Sequence, residues 1–514
     1  MRHTRSNVRA SLCATLALVG AMFVGRLAWG TPFIPELIAE HIFALVTPRL
    51  FTLAIRLLGF GAKWVAFGLA VIGYIGGGVG LGWAYARLLR RASRPSSVGS
   101  GGLFGAAVWL ALMLWGLPLL GVGVFGVRLR HGALPGALAL LGGHLLYGGL
   151  LGWLTGSARP PVQDHRPDAA DLSAGRRRAL LRGIVRLPLL WPASIALGHL
   201  MLTVGARLAW AMGIIFEAIK GLSPEVTPND KFYIISKNLF DPTLNPKTWK
   251  LTIHGLVEQP LQLSLDELKA LPSYEAYVTF TCISNEIGGD LIGNAMWKGV
   301  SLQHLLALAR VKPEARKVIF RADDGYSTGV PLERCLRPQT FLAYELNGKA
   351  LPDKHGFPLR AVIPGYYGMK QPKWLTEIDV VAADYQGYWE QRGWADDAVV
   401  KTMSRIDVPP HRGEVPASGA VIAGIAFAGE RGITQVEVSV DGGKTWHEAQ
   451  LKPALSPYSW VLWARELAFP QDGEYPLAVR ATDGQGNLQE DRLSEPLPDG
   501  ASGYHKIRVK VQAT

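Results

Sequence analysis

Up to about residue 215 the chain alternates long apolar stretches with basic loops; beyond that, short apolar runs are broken often by Pro and Gly. Segments 64–86, 95–127 and 132–158 carry no acidic or basic residue. Each holds the roughly 20 apolar residues that a spanning helix requires. Two further candidates are 10–25, extended past Arg26, and 187–206, which brings the predicted number of spans to five. Segment 34–58 is amphipathic, carries Glu36, Glu40, Arg49 and Arg56, and is broken at Pro48. It reads as a helix lying in the membrane interface.

From residue 224 to about 400, strand-like runs (249–254, 317–322, 359–364) mix with helical patches (265–270, 302–309), the texture of an α+β domain. From 401 to 514 the runs alternate with period two: 421–427, 435–440, 459–464 and 477–481. The turn Asp441-Gly442-Gly443-Lys444 joins two of them, and Asp483-Gly484 opens another loop. Six or seven short strands over ~110 residues predict an Ig-like antiparallel β-sandwich. The expected organisation is a transmembrane anchor over 1–215, an α+β domain over 224–400 and the sandwich over 401–514.

Composition sharpens this picture. With 514 residues, 49% hydrophobic and 18% charged, the chain is neither disordered nor a single domain. The net charge of +12 divides unevenly, +16 over residues 1–223 and −4 over 224–514. The basic excess thus belongs to the apolar region, which points to membrane lipid as a partner and away from nucleic acid. Arg2, Arg5 and Arg9, then Arg87, Arg90, Arg91 and Arg94, then Arg159, Arg166, Arg176, Arg177, Arg178 and Arg182 mark three cytoplasmic segments. Arg49, Arg56, Lys63, Arg128 and Arg130 fall on the other side but are fewer. Five spans then leave everything after about residue 215 outside the cytoplasm. Cys13, Cys282 and Cys335 cannot build a disulfide framework; at most Cys282 and Cys335 could pair.

Cys282 is the centre of the candidate chemistry. Apolar and β-forming residues (Tyr277-Val278-Thr279-Phe280) lead to it, and polar and glycine residues (Ser284-Asn285-Glu286, Gly288-Gly289-Asp290) follow. The thiol is therefore expected at the exit of a buried strand, where a loop can surround a bound group. A buried core cysteine fits the same residues; a soft thiolate could instead ligate one metal held mainly by something else.

The run Thr281-Cys282-Ile283-Ser284-Asn285-Glu286-Ile287-Gly288-Gly289-Asp290, followed by Trp297-Lys298-Gly299-Val300, resembles the molybdenum-ligating segment of the sulfite oxidase superfamily. Ala343-Tyr344-Glu345-Leu346-Asn347-Gly348, His355-Gly356-Phe357-Pro358-Leu359-Arg360 and Lys373-Trp374-Leu375 follow in the family's order. Val438-Ser439-Val440-Asp441-Gly442-Gly443-Lys444-Thr445-Trp446 resembles its sandwich domain, often a dimerisation module, so a homodimer is among the expected partners. The resemblance implies a molybdenum–molybdopterin cofactor with Cys282 as thiolate ligand and Tyr326 facing the metal's oxo group. It implies that His355, Arg360 and Lys373 hold the pterin and its phosphate, in keeping with the charge-assisted donors that Arg and Lys provide. Tyr233 and Asn238 fall where the family begins its cofactor contacts, and Asp324 and Lys370 are expected neighbours.

Sulfite-oxidising members carry arginines directly after the cysteine, where this chain has Ser284, Asn285 and Glu286; an acidic side chain there repels a sulfite dianion. The expected activity is therefore two-electron oxygen-atom transfer on a small substrate, with sulfite disfavoured. An S- or N-oxide reductase drawing on a quinone or another redox partner is the alternative. A non-enzymatic sensor is a third reading. His144 and His199, inside the fourth and fifth predicted spans, could hold a b-type haem; hydrogen bonding between helices is the other role, and no haem is expected. Finally, Arg177-Arg178-Ala179-Leu180-Leu181-Arg182 ahead of the uncharged run 187–206 resembles an internal twin-arginine export signal. Such a signal suits a domain that, by the family resemblance, receives its cofactor in the cytoplasm.

Overall fold

The computed structural model describes residues 2–46, 50, 61–91, 95–127, 133–156 and 215–512. These fall into two compact units. The first is helical: α1 (Arg2–Trp29), α2 (Ile34–Leu45), α3 (Ala62–Arg91), α4 (Val98–Ala111) and α5 (Ala133–Gly156). Four stretches are long and apolar enough to cross a membrane: Asn7–Trp29, Ala62–Arg91, Val98–Leu119 and Ala133–Gly156. The third continues from α4 through a π-helical turn, Leu112–Gly116. The expected fifth span over 187–206, together with Arg177, Arg178 and His199, lies outside the described residues.

Glycines set the spacing of α4 and α5. A Cβ at Gly105 would lie 2.1 Å from the carbonyl oxygen of His144, and one at Gly101 would lie 2.0 Å from that of Gly148. Only hydrogen side chains allow backbones to approach this closely, and in lipid such packing replaces the hydrophobic drive. His144 is buried, and its Nδ1 pairs with the Leu140 carbonyl at 2.7 Å, within its own helix rather than between helices. The short helix α2 ends at Leu45, ahead of Pro48 in the sequence, and its Glu36 takes Nε and Nη2 of Arg26 at 2.7 and 3.0 Å.

The second unit is β-rich. One mixed sheet has the order β2-β1-β10-β5-β6, from β1 (Lys250–Gly255), β2 (Leu261–Ser264), β5 (Lys317–Ala322), β6 (Ser327–Pro331) and β10 (Leu375–Val381). Only β1 and β10 in it run parallel. A second sheet is built from β3 (Ser273–Thr281), β4 (Ile292–Ser301), β7 (Phe341–Leu346) and β8 (Lys349–Ala350), with β9 (Arg360–Val362) paired to β7. Short helices Leu265–Ala270 and Leu302–Ala309 begin at Ser264 and Ser301, whose hydroxyls accept the N–H three residues on.

The remaining strands form two stacked antiparallel-rich sheets: β11 (Met403–Val408), β13 (Ala420–Phe427), β16 (Gln450–Leu451) and β17 (Val461–Leu467) in one, and β12 (Glu414–Pro416), β14 (Ile433–Ser439), β15 (His447–Glu448), β18 (Gly473–Asp483) and β19 (His505–Gln512) in the other. This exceeds the six or seven strands expected, because β12, β15 and β16 are too short to show a period. A second difference lies in β13 and β17. Ile422, Ala426, Val461 and Trp463 fill the sandwich core, while Ala423, Ile425, Phe427, Leu462 and Ala464 belong to the core of the preceding α+β region. A strand buried on both faces reads as a continuous apolar run. Each large side chain so buried contributes ~1.5–3 kcal/mol.

Candidate active site around Cys282

The strand β3 delivers the cysteine. Val278 and Phe280 are buried, Thr281 pairs with Ile292 of β4, and the Cys282 amide still donates to the Leu291 carbonyl at 2.9 Å. The thiol thus stands one residue beyond the sheet. The chain then turns back: the Asn285 amide donates to the Cys282 carbonyl at 3.0 Å, and the Asn285 side-chain oxygen accepts from Leu291 N–H at 2.9 Å. Ser284 Oγ lies 3.0 Å from Cys282 Sγ. Burial raises the thiol's pKa, and the hydrogen bonds of Ser284 act against that. Unaided, such a thiol stays protonated; a cationic centre would hold it as thiolate.

Residues of the sandwich clamp this loop. Arg405 Nη1 donates to the Gly289 carbonyl at 2.7 Å, and Asp407, two residues along β11 and so on the same face, holds its Nε at 2.6 Å. Gly288 has φ +75, and a Cβ there would lie 2.4 Å from His505 Nε2. A cavity opens beside the loop, lined by Thr281, Asn285, Glu286, Tyr367, Lys401 and Gln489 among others. The Lys401 ammonium is 3.1 Å from Asp499 and donates to the Gly500 carbonyl at 2.8 Å.

Around the thiol lie most of the residues singled out from the sequence. Tyr233 stacks on Phe232 and faces both Cys282 and Arg360, and with burial the thiol drives its pKa upward. His355 closes the turn Asp353–His355, is buried against Phe232, and has Nε2 3.1 Å from the Asn229 carbonyl. Burial and the Arg360 charge push its pKa down to about 4. Arg360 opens β9 with its guanidinium over the rings of Phe280 (4.6 Å) and Trp297 (5.4 Å). Its Nη1 donates to the His355 carbonyl at 3.3 Å, its Nε has no partner among the described residues, and burial lowers its pKa to about 10. Lys373 reaches the Lys354 carbonyl at 2.9 Å, beside the same turn.

Asn238 and Asp324 meet each other: Asn238 Nδ2 donates to Asp324 Oδ2 at 2.9 Å, and Lys237 Nζ donates to the Asp324 carbonyl at 2.7 Å. Asp324 Oδ1 in turn accepts the Tyr326 amide at 2.9 Å. The Tyr326 hydroxyl donates to the Met369 carbonyl at 2.5 Å. Lys370 departs from expectation. Its ammonium donates to Glu390 Oε1, Asp396 Oδ1 and the Gly329 carbonyl, at 2.5, 2.7 and 3.0 Å. An ammonium has three donors, so none remains for a cofactor.

Residues 238–389 match the family description "Oxidoreductase molybdopterin binding domain", and 397–512 match "Mo-co oxidoreductase dimerisation domain". The chain belongs to the sulfite oxidase family of molybdopterin-dependent oxidoreductases. Within that family it is 31% identical over 339 residues to rat mitochondrial sulfite oxidase and 32% identical over 338 residues to the human one, in each case over 56% of this chain and 62% of the relative. It thus spans under two thirds of the length of these relatives. The uncharacterized oxidoreductase YuiH of Bacillus subtilis is 38% identical over 146 residues, 28% of this chain and 72% of that protein. Among solved structures, the sulfane dehydrogenase SoxCD of Paracoccus pantotrophus has 24% identity and a TM-score of 0.48, covering 57% of this chain and 82% of that one.

For this member of the sulfite oxidase family, sequence reasoning missed Arg405 and His505, which act from more than 100 residues away, and Glu390, whose neighbours Trp389 and Gln391 give no periodic cue. The alternation of Arg405 with Asp407 was the one available signal for the clamp.

Proposed function

We propose that the chain is a membrane-anchored molybdopterin oxidoreductase that performs two-electron oxygen-atom transfer on a small substrate outside the cytoplasm. The observation that carries this reading is a buried arginine with no acid beside it among the described residues, near a half-buried, unbridged thiol. Burying a cation costs several kcal/mol unless it is paired, and among the described residues Arg360 has an unpartnered Nε, the rings of Phe280 and Trp297, the His355 carbonyl and Tyr233 around it. An anionic cofactor fits that vacancy in charge, and the Cys282 thiolate fits a soft metal. When bound, the cofactor supplies a molybdenum centre able to exchange an oxygen atom and two electrons with substrate.

The chain's own residues have distinct tasks. Cys282 provides the thiolate, with the Ser284 hydroxyl close enough to donate to it. Arg360, Lys373 and His355 bind the phosphate and pterin; Tyr233 closes the gap between thiol and guanidinium. Asn238 and Asp324 hold the loop that carries Tyr326. Because the Tyr326 hydroxyl spends its proton on Met369, it offers a bound substrate or water a hydrogen-bond acceptor. The reductive alternative draws support from Glu286 in the loop after Cys282, whose negative charge suits an uncharged S- or N-oxide better than sulfite.

The anchor comprises 1–215 with a cytoplasmic N-terminus, the cofactor domain 224–400 and the dimerisation sandwich 401–514; a quinone or separate redox protein exchanges the electrons. Metal analysis of protein purified from a cofactor-competent host tests the reading, followed by turnover of sulfite, sulfoxides and N-oxides with artificial electron carriers. Protein without molybdenum would overturn it.

A further inference from the structure

A buried carboxylate lies just behind the site with no role in binding the cofactor. The turn Gly368–Lys370 links the two. A Cβ at Gly368 would lie 2.9 Å from the Tyr233 hydroxyl and 3.5 Å from the Thr281 carbonyl, so the turn abuts the end of the cysteine strand. Met369 takes the Tyr326 hydroxyl, and Lys370 reaches Glu390. Tyr326 is buried and lies within reach of the charges of Glu390, Asp324 and Cys282.

Glu390 is 6% exposed. Its Oε1 accepts from Lys370 and, at 2.7 Å, from the Thr328 hydroxyl; its Oε2 has no partner among the described residues. Beyond Lys370 the hydrogen bonds continue outward. Asp396 Oδ1 accepts from Lys370 at 2.7 Å, its Oδ2 accepts from Lys317 at 2.9 Å, and Lys317 donates to Asp384 at 2.5 Å. The side chain of Asp396 is 41% exposed and that of Asp384 is 82% exposed. Two ammonium groups therefore face three carboxylates in one bonded row, and the row can take up one more proton. Its buried end is the unpaired oxygen.

We propose that Glu390, Lys370 and Asp396 form a proton path between the molybdenum site and solvent. The proposal rests on the reading of the site given above. Oxygen-atom transfer that draws its oxygen from water releases two protons for every two electrons, and the reverse reaction consumes two. In release, a proton binds Glu390 Oε2; the carboxyl turns to present it to Lys370, which passes one of its own to Asp396 Oδ1 and takes the one on Glu390. Lysine ends as it began, and the net movement is one proton from Glu390 to Asp396 and then to water. Partial burial works to raise the Asp396 pKa, but the ammonium groups of Lys370 and Lys317 hold it below its ordinary value, so Asp396 hands the proton on to water rather than keeping it.

The test uses the full chain, loaded with cofactor, reduced with dithionite and reoxidised with ferricyanide in a stopped-flow instrument. A pH-indicator dye reports proton release while absorbance reports the metal. Glu390→Gln keeps an acceptor for Lys370 and Thr328 but cannot carry a proton. Molybdenum content should match wild type, and because Lys370 keeps Asp396 the thermal midpoint should fall by less than in Lys370→Met. Proton release should lag metal oxidation by roughly 100-fold, the low end of what a positioned proton carrier supplies, and added imidazole should restore it. Asp396→Asn, at a half-exposed position, gives the same reading with a smaller lag if the first variant does not fold. Proton release that keeps pace with the metal in a loaded variant overturns the path alone. Wild-type protein without molybdenum overturns the reading of the site, and the path with it.

Discussion

Removing the Lys370 ammonium should be among the most destabilising single changes in the second unit. In Lys370→Met the chain length is nearly kept, so little cavity forms; what changes is charge. Lys370 and Glu390 are each 1% exposed in their side chains. Asp396 keeps Lys317 at 2.9 Å, so the loss falls on Glu390, left with only the Thr328 hydroxyl. Breaking one partner from a buried pair costs about 3–5 kcal/mol. For a unit of this size that is a fall in Tm of roughly 6–20 °C, at ~2–4 °C per kcal/mol. Urea unfolding of the detergent-solubilised chain, followed by tryptophan fluorescence, measures it. The double variant Lys370→Met/Glu390→Gln removes the stranded charge and should recover at least half the loss, because neutralising both partners is far cheaper than removing one. The reasoning fails if the single variant loses less than about 1 kcal/mol, a surface-like cost, or if the double variant is no better.

Cys282→Ser trades a soft thiolate for a hard, weak ligand, and activity should fall by more than the ~10–100-fold typical of outer-sphere changes; turnover above about a tenth of wild type refutes the ligand assignment. His355 has a folded pKa of about 4, below the ~6.5 of the unfolded chain, so its contribution is fully present above about pH 6.5 and is lost as pH falls towards 4. His505, also lowered to about 4 by burial and accepting the Ile406 amide at 3.0 Å, acts in the same window. Cofactor-free protein should therefore lose urea resistance between pH 7 and 5, and cofactor-loaded protein less, since an anion beside His355 stabilises imidazolium; equal losses in the two forms argue against His355 as an anion contact. Changing Arg177 and Arg178 together to Lys keeps the charge but removes the guanidinium pair, and should leave residues 224–514 protected from protease added to spheroplasts; export equal to wild type rejects the twin-arginine route.

Reading the sequence succeeded where one residue type and one period carried the structure. The step from Val278-Thr279-Phe280 to Ser284-Asn285 marks the strand exit at Cys282 because a buried strand must be apolar and a loop must not. It failed where partners lie far apart along the chain. Lys370 reads from the sequence as a neighbour of the cofactor contacts; its acids, Glu390 and Asp396, stand in a stretch with no periodic signal. At β13 the alternation read over 421–427 is incomplete, because Ala420–Phe427 serves two cores at once.

That doubly buried sheet governs when the protein can mature. The α+β core lacks Ala423, Ile425 and Phe427 until β13 has been made, and Leu462 and Ala464 until β17 has followed. The loop of Cys282 lacks its Arg405 and His505 clamp for longer still. During synthesis the Cys282 loop therefore has no clamp until residue 505 has been made, and any shorter chain carries the ligand without its full enclosure. Quality control that senses the closed loop would then be sensing completion of the β-sandwich.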